Sequence, residues 1–350
     1  MDLREPIPQP MQLPSLSVSS KFFAAAVALT LAPPSCGDAA WQVERLPTPW
    51  AISGFANSLD LSGIAAASPT HCLVGSDESF HIQPGIIDRR NRLIRSLPSI
   101  PLPIDAGIRK PEIDIEGVAF SARDRAYYVV GSHGVGKKKG DIQPLRHSIY
   151  RIPVGTDGAV NAANIRRASL RPWLERTPEL APYVGKELQR NGLNIEGLAS
   201  SGDRLFFGLR APNKDGRALV IEACPGDLFE RQARPLQVHA LAIPHGRGIR
   251  EIAAVSDGFI FLTGNASAEA SKKIPVSMAP GPDNRFELWH WNGRDARPNR
   301  ISILPDTGGK AEGLLVLDDA SGYLDLLIVF DGLTDGRPLA VRVRKANQRK

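Results

Sequence analysis

Three glutamates that are each followed by glycine are the residues best suited to chemistry in this sequence: Glu116, Glu196 and Glu312. Carboxylates that converge in a protein repel one another and lose solvation. They are therefore found protonated, paired with arginine or bound to a cation. The repeated Glu-Gly pair predicts either a cation site with acid–base chemistry or a network of ion pairs.

The Glu-Gly pairs belong to a repeat that occurs five times along the chain. Ser62 and Arg250 stand at the two other equivalent positions, and the five positions lie 54, 80, 54 and 62 residues apart. Each motif precedes a turn rich in Gly, Asp or Ser and then an apolar strand, which is typical of a β-hairpin. Hairpin repeats of about this length are typical of β-propeller blades.

The predicted fold is therefore all-β, a β-propeller of about five blades. A six-bladed ring, with a degenerate blade in the long second interval, is the alternative. One strand, 339–343, remains after the last motif, so the strand at 41–46 is expected to complete the last blade and close the ring. Residues 41–350 are predicted to form one domain, with an insertion near 161–193.

The repeat also predicts which side chains meet. In a propeller the inner strand runs along the central channel and the second strand returns antiparallel to it. The beginning of the first strand and the end of the second strand therefore lie on one face. We expect the five motif residues to surround one mouth of the channel: Ser62, Glu116, Glu196, Arg250 and Glu312. The residues that end the second strands are expected around them: Asp77, His133, Arg210, Asn265 and Asp331.

A hydrolase is the first functional hypothesis for this mouth. Glu116 and Glu196 are the candidate catalytic acid and base, and together with Glu312 they are the candidate metal ligands. Calcium suits such an oxygen-rich set better than zinc. His133, in a Ser-His-Gly loop, is a candidate for proton transfer.

Substrate binding would fall to the basic and polar residues of the mouth. Arg210 and Arg250 are expected to bind a carboxylate or phosphate group, with Asn265 and Asp331 beside them. The expected partner is a small anionic or ester-bearing molecule, such as an ester, a lactone or a phosphoester. A monomer is the favoured state.

A non-catalytic propeller is the second hypothesis. The motif positions read Ser, Glu, Glu, Arg, Glu, so Arg250 could neutralise its neighbours and leave a structural ring of ion pairs. The protein would then bind a ligand or another protein. The two hypotheses differ in whether the carboxylates face an open pocket or are occupied by arginines and backbone donors.

The N-terminal segment 1–40 has the pattern of an export signal. Lys21 precedes the apolar run 22–32, and small residues follow at 35–40. The run is shorter than the about 20 apolar residues of a membrane span. We therefore expect a secreted or periplasmic protein that has no integral membrane segment, with a lipoprotein anchor at Cys36 as the alternative.

Composition and motifs argue against several other classes. The 350 residues carry a formal charge of +6, but 37 acidic residues are mixed among 43 basic ones, and no basic stretch is interleaved with aromatic residues. This pattern does not suit nucleic-acid binding. The chain has no Gly-x-Ser-x-Gly elbow, zinc-ligand spacing, phosphate loop or dinucleotide fingerprint. Cys72 and Cys224 fall in different repeats and are expected to be single thiols.

The motifs resemble a bacterial family known as domain of unknown function 3616, over about residues 55–345. The resemblance is carried by five segments: Asp114–Gly117, Asn194–Ala199, Gly208–Pro212, Gly248–Arg250 and Ala311–Leu314. It implies a propeller-like fold without an assigned activity. More distantly, the repeated Glu-Gly is similar to esterase-like phytases and to calcium-dependent lactonase propellers of the regucalcin and paraoxonase kind. Those resemblances imply a cation at the channel mouth and ester hydrolysis.

Overall fold

The computed structural model describes residues 41–109, 111–136, 140–230, 234–276 and 283–345. The predicted export segment 1–40 and Cys36 lie outside the described residues. Five sheets follow one another along the chain as the blades of a β-propeller, four of them antiparallel and the first mixed. The prediction of five blades is confirmed.

Each blade has a hairpin on its inner side, with two further strands outside it in blades 2 to 5 and four in blade 1. Blade 1 contains β2 (Ala51–Ser53), β3 (Leu61–Ala66), β4 (His71–Ser76), β5 (His81–Asp88), β6 (Leu93–Ser96) and β7 (Ile100–Pro101). Blade 2 contains β8 (Ile115–Ser121), β9 (Ala126–Gly131), β10 (Ile149–Pro153) and β11 (Arg166–Ala168). Blade 3 contains β12 (Asn194–Ser201), β13 (Arg204–Ala211), β14 (Arg217–Ala223) and β15 (Gln237–Ala242). Blade 4 contains β16 (Arg247–Val255), β17 (Gly258–Asn265), β18 (Glu287–Trp291) and β19 (Asn299–Ile303).

Blade 5 closes the ring with the beginning of the described chain. Its strands are β20 (Lys310–Ala320), β21 (Tyr323–Asp331), β22 (Leu339–Lys345) and β1 (Trp41–Arg45). The first of these strands in sequence, β1, pairs antiparallel with β22. The predicted closure of the ring is therefore confirmed.

Successive blades are held together by apolar layers. The described residues form five buried clusters, one at each junction between neighbouring blades. Because blades pack on both faces, their middle strands are apolar on both sides. All six residues of β9 are buried, which explains its unbroken run of Ala, Tyr, Tyr, Val, Val and Gly.

Few helices interrupt this pattern. The α-helices are α1 (Arg171–Leu174) and α2 (Pro225–Glu230), and the 3-10 helices are Pro144–His147, Ala162–Asn164, Ala181–Tyr183, Leu188–Arg190 and Thr334–Gly336. The segment 161–193, predicted as an insertion, contains the outermost strand of blade 2 as well as short helices. Its residues Leu170, Leu174 and Leu180 belong to the apolar layer between blades 2 and 3. No helix in the described part of the chain is long and apolar enough to span a bilayer.

The inner strands approach one another closely around the channel. In blades 2 to 5 the strand register shifts at the motif, so that Glu116, Glu196, Arg250 and Glu312 are each the extra residue of a β-bulge. A bulge re-aims the side chain it carries. The glycine that follows is needed for space. A Cβ at Gly197, for example, would lie 2.8 Å from the backbone nitrogen of Ile252 in the next blade.

Candidate functional site

The five motif residues lie where the inner strands begin, and all five are buried: Ser62, Glu116, Glu196, Arg250 and Glu312. We call the four charged residues Glu116, Glu196, Arg250 and Glu312 the Glu/Arg ring. Their position follows from the repeat, because each inner strand enters the channel from the same end.

Arg250 is the centre of this ring. Its side chain is 3% exposed, and its Nε lies 2.7 Å from Oε2 of Glu196. Its Nη2 donates to Oε1 of Glu312. Burial lowers the pKa of Arg250 to about 10, and the charge of Arg210 adds to this effect, while Glu196, Glu116 and Asp331 oppose it. One guanidinium group therefore joins inner strands of blades 3, 4 and 5.

Arg210 forms an ion pair with the second carboxylate oxygen of Glu196, Oε1. Its Nη1 donates to Oε1 of Glu196 at 2.9 Å, and its Nη2 donates to the carbonyl oxygen of Ser267 at 2.7 Å. Both carboxylate oxygens of Glu196 therefore face a guanidinium group. Arg210 and Arg250, predicted to bind a substrate anion, are instead engaged by glutamates of the protein.

Glu116 lies in the electrostatic field of two cations. Its charge stabilises the protonated forms of Arg250 and of Arg146. Arg146 in turn pairs with Asp114 at 2.9 Å and with Glu112. This side of the mouth thus holds a second group of ion pairs, between the connection that enters blade 2 and the 3-10 helix Pro144–His147.

The three glutamates predicted to bind calcium have protein partners that occupy the place of a cation. Glu196 and Glu312 already hold the guanidinium group of Arg250 between them. A cation would have to displace Arg250, so the predicted metal ligands do not fit a calcium site in this arrangement. Within the described residues, no three side chains from His, Cys, Asp and Glu are placed to share a metal ion.

His133 is buried and is not open to solvent at the channel mouth. It is 2% exposed and has a positive φ of 55°. Its Nδ1 lies 2.9 Å from the carbonyl oxygen of Gly131, and its Nε2 accepts the backbone N–H of Leu170 at 3.2 Å. The first contact requires a proton on Nδ1 and the second a lone pair on Nε2, so the ring is neutral.

The surroundings of His133 keep it neutral. Burial lowers its pKa to about 3, and the nearby charges of His147 and Arg171 act in the same direction. A group with both ring nitrogens engaged has no nitrogen left for a substrate proton. His133 instead fastens the segment that begins at Leu170 to blade 2.

The remaining predicted site residues have protein partners as well. Asn265 accepts the backbone N–H of Ser267 through Oδ1 at 2.9 Å, and its Nδ2 lies 3.3 Å from Oδ1 of Asn284. Asp331 is buried and pairs with Lys310. Asp331 also contributes to the charge around Arg250, whereas no contact brings Asn265 to the Glu/Arg ring in the described structure.

Glu251 is a residue of the channel that the sequence analysis did not select. It replaces the motif glycine in blade 4, and its Oε1 accepts the backbone N–H groups of Leu198 at 3.1 Å and Ile252 at 2.9 Å. Burial raises the pKa of Glu251 well above the usual carboxyl range, while the two backbone hydrogen bonds act in the opposite direction. Its signal in the sequence was the departure from Glu-Gly at 250–251.

Three solved structures are similar to this chain, with low sequence identity and low TM-scores. A structure described as a putative 6-phosphogluconolactonase from Bacteroides uniformis is 14% identical, with a TM-score of 0.33, over 76% of this chain and 66% of that chain. A protein from Lactobacillus plantarum is 13% identical, with a TM-score of 0.33, over 77% and 67%. Virginiamycin B lyase from Staphylococcus aureus is 11% identical, with a TM-score of 0.34, over 87% and 98%. At these scores the likeness carries nothing about activity.

No curated protein matches the chain significantly in sequence. A family profile described as protein of unknown function, DUF3616, matches residues 153–343. The match covers more than half of the chain, from the third strand of blade 2 to the last strand of blade 5. The chain therefore belongs to the DUF3616 family.

Proposed function

We propose that the protein is a ligand-binding propeller and that its Glu/Arg ring is a structural clamp between blades. The observation that carries this proposal is the position of Arg250, which is 3% exposed and bridges Glu196 and Glu312. It links the inner strands of three blades at the point where the channel would otherwise open.

The contacts of the ring oppose a catalytic role for it. A general acid or base needs an oxygen within hydrogen-bond reach of the substrate. Both oxygens of Glu196 face guanidinium groups, and Oε1 of Glu312 accepts from Arg250. The same pairs satisfy the carboxylates electrostatically, which is what buried charges require.

A cation-dependent hydrolase is the second candidate. One observation favours it: the ion pairs of the mouth described above contain six carboxylates but four basic side chains among the described residues. The carboxylates are Glu112, Asp114, Glu116, Glu196, Glu312 and Asp331, and the basic side chains are Arg146, Arg210, Arg250 and Lys310. An excess of negative charge would attract a cation, and a substrate ester or lactone could then bind beside it.

A thermal melt of the chelated protein separates the two candidates. We expect added calcium to leave the melting temperature of the wild-type unchanged, because Arg250 occupies the glutamates. Calcium at 100 times the dissociation constant of a real site would instead add about 2.7 kcal/mol to stability. A calcium-dependent rise that Glu116→Gln abolishes, and that exposed Asp203→Asn in blade 3 does not, would contradict the clamp and support the hydrolase.

Export remains part of the proposal. Lys21, the apolar run 22–32 and the small residues at 35–40 support a cleaved signal segment. The mass of the chain recovered from the culture medium or the periplasm is expected to correspond to a mature protein that begins near residue 40. Full-length chain in the cytoplasmic fraction would count against export, and a lipid-modified mass at Cys36 would indicate the anchored alternative.

A further inference from the structure

A cleft of about 200 Å³ opens in blade 1, next to the channel mouth. Its wall includes Leu61, at the beginning of the inner strand, and Ser76, at the end of the second strand. These two residues are paired across the hairpin, and each directly precedes a position that the repeat assigns to the mouth, Ser62 and Asp77. The cleft therefore opens near the face that carries the Glu/Arg ring but lies outside the ring.

Six of the eleven residues that line this cleft have polar side chains without formal charge, and the others are apolar or glycine. The six polar residues are Asn57, Ser76, Ser79, His81, Gln83 and Ser99, and no Asp, Glu, Lys or Arg is among the lining residues. Hydroxyl, amide and imidazole groups can both donate and accept hydrogen bonds. Such a set suits a ligand that offers many hydroxyl groups and no net charge. It contrasts with the neighbouring mouth, where the Glu/Arg ring consists of four ionisable side chains.

Part of the lining is fixed before any ligand binds. Gln83 accepts the backbone N–H of Ala56 through Oε1 at 2.8 Å and donates through Nε2 to the carbonyl oxygen of Leu97 at 3.0 Å. Asn57 follows with a φ of 53°, a conformation that asparagine adopts more readily than most residues. A preorganised lining lowers the entropy cost of binding.

Other groups of the lining remain available. Neither ring nitrogen of His81 has a hydrogen-bond partner within the described chain, although the ring packs against Phe80 with centroids 3.9 Å apart. The hydroxyl of Ser99 likewise has no partner there. Phe55 adds an aromatic surface to the wall. Small-ligand sites combine apolar and aromatic walls with a few convergent polar groups.

We propose that this cleft binds a neutral, hydroxyl-rich molecule of about monosaccharide size, a sugar or a polyol. Drug-sized ligands occupy clefts of about 300–1,000 Å³, and the smaller volume here indicates a smaller ligand. The proposal rests on the proposed function, a binding propeller, and assigns its ligand class and location.

Calorimetric titration of the wild-type protein with glucose, ribose, myo-inositol and mannitol tests the ligand class. We expect at least one of them to bind, and to bind at least 10-fold more tightly than gluconate and glucuronate, because the lining has no cation to compensate a carboxylate. Failure of all four neutral compounds to bind overturns the proposal, as does a preference for the anions.

Substitution of the cleft wall tests the location. Ser99→Trp places a bulky side chain at an exposed position of the lining and is expected to weaken binding at least 10-fold. The matched control is Ser201→Trp, at an exposed strand end in blade 3, which is expected to leave binding unchanged. Equal binding by wild-type and Ser99→Trp protein would overturn the cleft as the site. The calcium melt reports on the ring independently, so the failure of either proposal is recognised separately.

Discussion

Replacing Arg250 with methionine is expected to lower the free energy of unfolding by about 3–5 kcal/mol, the cost of breaking a buried ion pair from one side. The substitution keeps much of the side-chain volume but leaves Glu312 without its guanidinium partner and Glu196 with Arg210 alone. Two carboxylates would then remain buried and undercompensated. Urea unfolding at neutral pH measures the effect.

Two further variants show whether the loss comes from charge. Adding Glu312→Gln to Arg250→Met removes one of the carboxylates that has lost its guanidinium partner. The double variant is therefore expected to be more stable than Arg250→Met alone. Arg123→Met is the matched control. The Arg123 side chain is 67% exposed and lies 3.6 Å from Asp203, so its loss should cost less than about 1 kcal/mol. If Arg250→Met cost no more than this control, the ring could not be a clamp.

The fold could be predicted because its information is repeated. Five copies of one hairpin motif indicated five blades. One strand was left over at each end of the domain, which indicated that these two strands pair with each other. Two parts of blades 1 and 2 were not predicted. Strand β2 runs parallel to β6, and β11 has three residues, so neither has a hairpin pattern that sequence reasoning can detect.

The candidate site was predictable in its membership but not in its contacts. Equivalent positions of a repeat must converge, and this brought Glu116, Glu196, Arg250 and Glu312 together. Which oxygen faces which guanidinium depends on how long side chains cross between blades, and sequence spacing does not encode that geometry. Arg250 and Arg210 were predicted to bind an anionic group of a ligand, whereas in the structure they pair with glutamates of the protein.

His133 and the blade 1 cleft show a second limit. The repeat correctly placed His133 at the end of a second strand. In the structure the segment that begins at Leu170 packs over His133, and this segment has no periodic pattern from which the contact could be predicted. The cleft is lined partly by Asn57, Ser79 and Ser99, which lie in connections between strands. Residues outside the repeat have no equivalents in the other blades, so their convergence has no signal in the spacing of the motifs.

Acid is expected to destabilise the protein through His133. Its pKa is about 3 in the folded protein, against an ordinary value of 6.5. The unfolded chain therefore binds one more proton than the folded protein between these values. The contribution of His133 to stability is complete above about pH 6.5 and is lost as the pH falls toward 3, at up to about 1.4 kcal/mol per pH unit. His147, whose pKa burial and Arg171 lower to about 4, adds to the same trend.

Comparison of His133→Gln with the wild-type isolates this effect. The free energy of unfolding is measured in urea at intervals between pH 7 and pH 4.5. It should fall less steeply with acid in the variant, and the slopes should differ by about 1.4 kcal/mol per pH unit, the value for one proton. Glutamine cannot take up a proton in this range, while its amide oxygen can still accept the N–H of Leu170. His245→Gln, at an exposed position, is the control and should leave the slope unchanged. Parallel curves for wild-type and His133→Gln would show that His133 is not held neutral by burial.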